Sequence, residues 1–103
     1  MTGEGSLVSL RVVALVTAKP GSEEVLHEAF VTLAAASRAE EGCNGYEVFR
    51  SSTDAAMVVT IEDWRSQTDL DDHMRREHTR RAAATIRSAA AGPGVMHTLL
   101  RIG

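Results

Sequence analysis

The segment LRVVALVTA, residues 10–18, constrains the fold more than any other stretch of the chain. It is β-branched and apolar with no helical period, so it predicts a strand. A strand with one wet face alternates apolar and polar residues. Here both alternating sets are apolar: Val12, Ala14 and Val16 on one side, Val13 and Leu15 on the other. Such a strand is buried on both sides, and whatever sheet it joins must have something packed against each face.

The rest of the chain says what covers one of those faces. Lys19-Pro20-Gly21-Ser22 stops the strand. Ser22 is the expected N-cap of a helix, with Glu23 and Glu24 in the first turn, where carboxylates favour the helix dipole. Val25, Leu26, Ala29, Phe30, Leu33 and Ala36 recur at helical spacing and predict an amphipathic helix to about Glu41, ended by Gly42. Residues 45–52, GYEVFRSS, alternate as a strand. Thr53-Asp54-Ala55 forms a turn, and AMVVTIEDW, residues 56–64, completes a hairpin. Ser66, with Asp69 three residues on, reads as a short capping box. Leu70, His73, Met74 and Glu77 then share one helix face. A second helical segment runs from about Thr79 to Ala91 and is broken by Gly92-Pro93-Gly94. VMHTLLRI, residues 95–102, is the last strand.

The order is βαββαβ. It predicts an α+β, ferredoxin-like domain over residues 10–103: a four-stranded antiparallel sheet with its helices on one face, after a flexible N-terminus at residues 1–9. The uncovered face of such a sheet is normally polar. The pairs Val12/Val13, Val58/Val59 and Leu99/Leu100 put apolar side chains on both faces instead. The open face must therefore meet a second subunit, an apolar ligand, or both.

Several classes of partner are disfavoured. The net charge is −3, and a nucleic-acid binder carries a basic stripe. Arg75, Arg76, Arg80 and Arg81 interleave with Asp69, Asp71, Asp72 and Glu77, as on a solvated helix face. No run approaches the roughly 20 apolar residues of a membrane span, and MTGEGSLVSL lacks the pattern of a signal peptide. Cys43 is the single cysteine, which excludes an intrachain disulfide and fits a reducing cytoplasm. It sits between Gly42 and Gly45 with no histidine near it in sequence, and reads as structural.

The segments KPGSEEVL, EEGCNGYEVF and IEDWRSQTDLDDH resemble those of the antibiotic biosynthesis monooxygenase (ABM) superfamily. The matching residues are Pro20-Gly21 before the first helix, Glu41 to Tyr46 leading into the second strand, Glu62-Asp63-Trp64 at the end of the third, and Leu70-Asp71-Asp72-His73 on the next helix. The likeness spans about residues 10–102. It implies a homodimer in which two open sheet faces close into an α+β barrel. It also implies one of several activities: cofactor-free oxidation of anthrone-like polyketides, haem degradation, or isomerisation of a sugar phosphate. The haem degraders carry an Asn, a Trp and an iron-binding His where this chain has Leu15, His73 and Ala83. Ala83 offers no iron ligand. The polyketide oxidases carry an Asn four residues before the strand-end Trp and a Tyr six residues after it. Those positions are Thr60 and Leu70 here, and only Trp64 is kept.

Oxygen has a triplet ground state and reacts poorly with closed-shell molecules. An enol or phenol becomes a good electron donor once deprotonated, so a cofactor-free oxidase needs an apolar cavity, an ordered substrate and a base. There is no GxGxxG, GxxxxGK[ST] or HExxH motif in the sequence. Expected cofactors are therefore none, with molecular oxygen as co-substrate. His73 is the expected base, with Asp69 one turn earlier to set its tautomer. Trp64 is the expected pocket wall, its N–H orienting the substrate. Tyr46, Thr60, Leu70 and Met74 are the expected substrate-binding residues, and Glu62 a structural acceptor. His78 lies five residues beyond His73, out of helical phase for a shared metal, and no metal site is expected. A small apolar or aromatic metabolite is the expected partner. A non-catalytic dimeric binding module and a cofactor-free isomerase remain the alternatives.

Overall fold

A computed structural model of the chain describes residues 9–103. The flexible terminus expected over residues 1–9 thus lies, except for Ser9, outside the described residues. The elements are β1 (Leu10–Thr17), α1 (Glu23–Arg38), β2 (Cys43–Arg50), β3 (Met57–Trp64), α2 (Gln67–Arg75), α3 (Glu77–Ala89) and β4 (Val95–Leu99). The four strands form one antiparallel sheet in the order β2-β3-β1-β4, the ferredoxin-like arrangement.

The pleat sorts the side chains of the two central strands. Leu10, Val12 and Val16 of β1 and Val58, Thr60, Glu62 and Trp64 of β3 are buried beneath the helices. They pack against Leu26, Phe30, Leu33 and Ala34 of α1 and Leu70 of α2. Their alternates face away from the helices. Val13, Leu15 and Val59 are half-buried there, and Phe49, Ile61 and Leu99 are 40–46% exposed. The two-sided apolar strands are therefore real, and one face of the sheet has no cover among the described residues. Leu100 lies beyond β4, which is shorter than the expected 95–102 strand.

Four local expectations are corrected. Helix α1 ends at Arg38, not Glu41. Residues 39–43 instead make tight turns, with Glu40 N–H on Ser37 O at 3.0 Å and Cys43 N–H on Glu40 O at 3.1 Å. Strand β2 begins at Cys43, two residues early, because a bulge at Cys43/Gly45 lets the chain pair with Trp64 and Asp63. Ser22 occupies the N-cap but its side chain makes no capping bond. Its backbone (φ −107°, ψ 10°) lacks the extended geometry that aims a cap. The break between the two expected helical segments falls earlier: Arg76, with φ −62° and ψ 147°, is extended and separates α2 from α3, so Glu77 opens α3 instead of sharing a face with Leu70, His73 and Met74.

The junction of β3 and α2 is held as its sequence suggests. Asp69 N–H donates to Ser66 Oγ at 3.1 Å, and the Ser66 hydroxyl donates back to Asp69 Oδ2 at 2.8 Å. Arg65 clamps the same carboxylate at 2.8 and 3.0 Å. Gly42 passes directly over it, its carbonyl accepting from Arg65 N–H at 2.8 Å. A Cβ on Gly42 would overlap the Asp69 side chain. Gly42→Ala is therefore expected to overpack this corner at a cost of about 1–3 kcal/mol. Gly45→Ala is the control: its nearest new neighbour, Asp63 Cβ, is 3.9 Å away. Urea unfolding should show a lowered midpoint for Gly42→Ala and little change for Gly45→Ala.

Candidate functional site

The end of the molecule where β3 hands over to α2 collects the unusual side chains. Trp64 is fully buried at the close of β3. The His73 ring lies over it, centroids 4.4 Å apart and planes inclined by 39°. Tyr46, from the neighbouring strand, meets Trp64 edge-on at 6.4 Å and lies 6.0 Å from His73. Beneath this trio is the buried Glu62. It accepts from Thr60 Oγ1 at 2.7 Å and from Trp64 Nε1 at 2.9 Å. The Trp64 N–H is thus committed to Glu62 and does not face a cavity. Burial, and then the neighbouring Glu62 carboxylate, pushes the Tyr46 hydroxyl well above the usual tyrosine range, so it stays protonated.

His73 is 3% exposed, and its partner is not Asp69. Asp69 is occupied by Arg65 and Ser66, and its pKa is lowered first by the Arg65 hydrogen bond. His73 Nδ1 bonds Glu40 Oε2 at 2.8 Å, and Thr79 Oγ1 lies 3.3 Å from the same nitrogen. His78 Nε2 reaches the same Glu40 oxygen at 2.7 Å. A carboxylate oxygen can only accept, so each imidazole donates an N–H to it. Arg76 Nε stands 3.6 Å from the other oxygen, Oε1. The reading of His73 and His78 as out of phase holds for a continuous helix. The extended Arg76 between α2 and α3 removes that premise and brings both rings onto one carboxylate.

Glu40 is the residue that sequence reasoning missed. A helix running to about Glu41 puts it in the last turn of α1. One signal was available: a carboxylate at a helix C-terminus opposes the helix dipole and needs compensation elsewhere. Here the compensation is two imidazoles and a guanidinium.

His78 is also the member of this array that meets a cavity. A groove of about 380 Å³ runs between α1 and α3. Its walls include Val25, Ala29, Leu33, Ala36 and Ala82, with Glu28 and Arg81 adding charge and His78 the imidazole. The volume is in the range of small-molecule sites. The expected pocket residues Tyr46, Thr60 and Leu70 do not line it; they are packed into the core, at 3% exposure or less. Met74 is displaced further. It is 48% exposed and lines a separate surface hollow with Arg75 and Arg80, so it forms no apolar wall beside Leu70. Glu77 begins α3 and pairs with Arg81. Cys43 is half-buried. Burial pushes its thiol up, with Glu40 and Glu62 adding to the rise and the bond to Gly45 O opposing it.

A ferredoxin-like sheet with an apolar face left open among the described residues, and a buried Glu-x-Trp beside a helix-borne histidine, defines a class of small α+β domains. Comparison with known proteins narrows the class to a family. The profile described as antibiotic biosynthesis monooxygenase matches residues 9–85, and the chain belongs to that family. The Mycobacterium tuberculosis protein Rv0793, named as a candidate monooxygenase, is 30% identical over 67 residues, a match spanning 65% of each protein. The Rv0793 structure superposes with a TM-score of 0.87 at 23% identity, covering 92% of this chain and 96% of that one. PA3566 from Pseudomonas aeruginosa gives 0.87 at 30% identity, covering 93% and 96%. A Caulobacter crescentus protein named for antibiotic biosynthesis monooxygenase gives 0.86 at 26% identity, covering 94% and 92%. The likeness inferred from four short segments is thus a family membership. No helix among the described residues is long and apolar enough to cross a membrane.

Two outcomes follow from this geometry. Glu40→Leu strands two imidazole donors, one of them fully enclosed, and is expected to cost about 1–3 kcal/mol or more. His78→Ala, at a site one third exposed, should cost less; chemical denaturation of both variants checks the order. Iodoacetamide at pH 8 should alkylate native Cys43 more slowly than the urea-unfolded chain, because a raised thiol pKa lowers the thiolate fraction.

Proposed function

We propose that this protein oxidises a small aromatic or enolic metabolite with molecular oxygen, without metal or flavin, and that His78 is the base that ionises the substrate. The observation that supports this most is the His78 imidazole, anchored by a buried carboxylate at the wall of an apolar groove. Glu40 holds the proton on Nε2, which leaves Nδ1 as the basic nitrogen of the ring. An enol or phenol bound in the groove gives its proton to that nitrogen. The resulting anion passes one electron to oxygen, and the two radicals combine. His73, at the buried end of the array, holds Glu40 in place and couples it to Trp64. The name carried by the family is consistent with such oxygen chemistry.

The same reading makes the protein a cytoplasmic homodimer. Two open sheet faces, each presenting Phe49, Ile61 and Leu99, cover one another, while the groove lies on the opposite, helical side and stays accessible. Sedimentation equilibrium at micromolar concentration should give twice the chain mass, and Ile61→Lys should shift it toward the monomer. A soluble wild-type monomer would remove the barrel from this account.

The test of catalysis is oxygen uptake with anthrones, naphthols and dihydroquinones. His78→Ala is expected to lose on the order of 10²–10⁴ in rate, the usual contribution of a general base. His73→Ala should lose less, since it acts through Glu40. Unchanged uptake in His78→Ala would refute the base assignment. A second reading, a binding module without turnover, draws on Thr60: its hydroxyl is spent on Glu62 inside the core rather than offered to a groove ligand. Binding of the same compounds with no uptake would support it. Product formed without oxygen would identify an isomerase instead.

A further inference from the structure

We propose that Glu40, His73 and His78 also form a binding site for a divalent transition-metal ion of the Zn²⁺ type, and that filling this site switches off the base. The first half stands on geometry alone; the second rests on the function proposed above. Glu40 Oε2, His73 Nδ1 and His78 Nε2 lie within 4.8 Å of one another. Two imidazoles and one carboxylate are a donor set that zinc and cobalt(II) accept. The three ligands come from three separate pieces of chain: the turn after α1, the last turn of α2 and the first turn of α3. No continuous helix could bring them together at this spacing.

The present distances are those of hydrogen bonds, 2.8 and 2.7 Å from Oε2 to the two nitrogens. A tetrahedral ion roughly 2.0–2.1 Å from each ligand would set the ligands about 3.3 Å apart. The two imidazoles must therefore draw back from Oε2 by about half an ångström and close on one another. His78, with its side chain 32% exposed, supplies most of that movement, and between Glu40 and His73, enclosed at 6% and 3%, only the half-ångström separation remains to be made. Arg76 stands against Oε1, so Oε2, which faces both imidazoles, is the ligand atom.

The exchange balances without loss of a proton. Each neutral imidazole now donates an N–H to Glu40. On binding the ion through that nitrogen, the ring carries its proton on the other nitrogen. For His78 this means Nδ1 becomes protonated, so the nitrogen that would accept the substrate proton is blocked. Metal binding and base catalysis are thus mutually exclusive on the same ring.

The experiment titrates the dimer with Co²⁺, followed by its visible absorption, and with Zn²⁺ by calorimetry. The variants are His78→Gln, Glu40→Gln and, as control, His27→Gln, whose ring bonds Ala55 O on another part of the surface. One ion per chain is expected for wild type and His27→Gln, with saturable binding lost in His78→Gln and Glu40→Gln. His78→Gln should keep the wild-type circular dichroism and melting curve, so its loss of binding reports the site even if Glu40→Gln unfolds. Absence of saturable Zn²⁺ or Co²⁺ binding to wild type, or undiminished binding to His78→Gln, overturns the site. Oxygen uptake measured with the best substrate then tests the switch: Zn²⁺ should abolish it over the concentration range of the binding isotherm. Stoichiometric binding with undisturbed uptake overturns the switch and leaves the site standing. Uptake absent from every substrate refutes the proposed reaction, while the isotherms still decide the site.

Discussion

The alternation of side chains along β3 is the constraint on which the rest depends. A strand places successive residues on opposite faces of a sheet, and a shift by one would exchange the whole set. Val58, Thr60, Glu62 and Trp64 therefore go under the helices together. Burying Trp64 at the strand end brings Glu62 inside with it, and a buried carboxylate must be hydrogen-bonded. Thr60 and the Trp64 indole meet that demand from the same strand, at positions two residues to either side. The same alternation sends Val59 and Ile61 to the uncovered face, where they join Phe49 across the hairpin and Leu99 on the edge strand. One pleat thus produces both a polar core corner and an apolar outer surface.

The second determinant is the break at Arg76. A continuous helix from Gln67 to Ala89 would turn His78 away from His73. One extended residue restarts the helix in a new direction, and two imidazoles converge on Glu40. This costs burial of a carboxylate, which the protein offsets with two N–H donors and a nearby guanidinium rather than with a single ion pair. The consequence is a chain of groups leading from the enclosed Trp64–His73 contact to a ring on the groove wall. Together with the Glu62 corner, this polar array is the feature that apolar packing alone does not explain.

The elements and their order were legible because the periodicities are strong. The apolar spacing of Val25 to Ala36 and the alternation from Met57 to Trp64 each match one template. Element ends were less legible. Arg38, Cys43 and Leu99 are termini set by turn hydrogen bonds and by pairing with Trp64 and Arg11, which are long-range partners. The site was legible in part. Trp64, Tyr46 and His73 do meet, but as a packed cluster and not around a cavity. Met74 was misplaced because a helical wheel treats a short, interrupted helix as a full one. Glu40 and His78 escaped because neither lies on a periodic face and their relation spans 38 residues.

What the sequence by itself determined is the βαββαβ order, the two-sided apolar strands and the family likeness. All three rest on local patterns: side-chain periodicity, turn residues and short motifs read within a few positions. What only the tertiary structure decided is which imidazole meets a groove, which acid holds it, and that two histidines five residues apart share one oxygen. Those facts depend on the dihedral angles of Arg76 and on the turns after Arg38. Both are fixed by contacts between segments far apart in the chain, whose energies no local window contains.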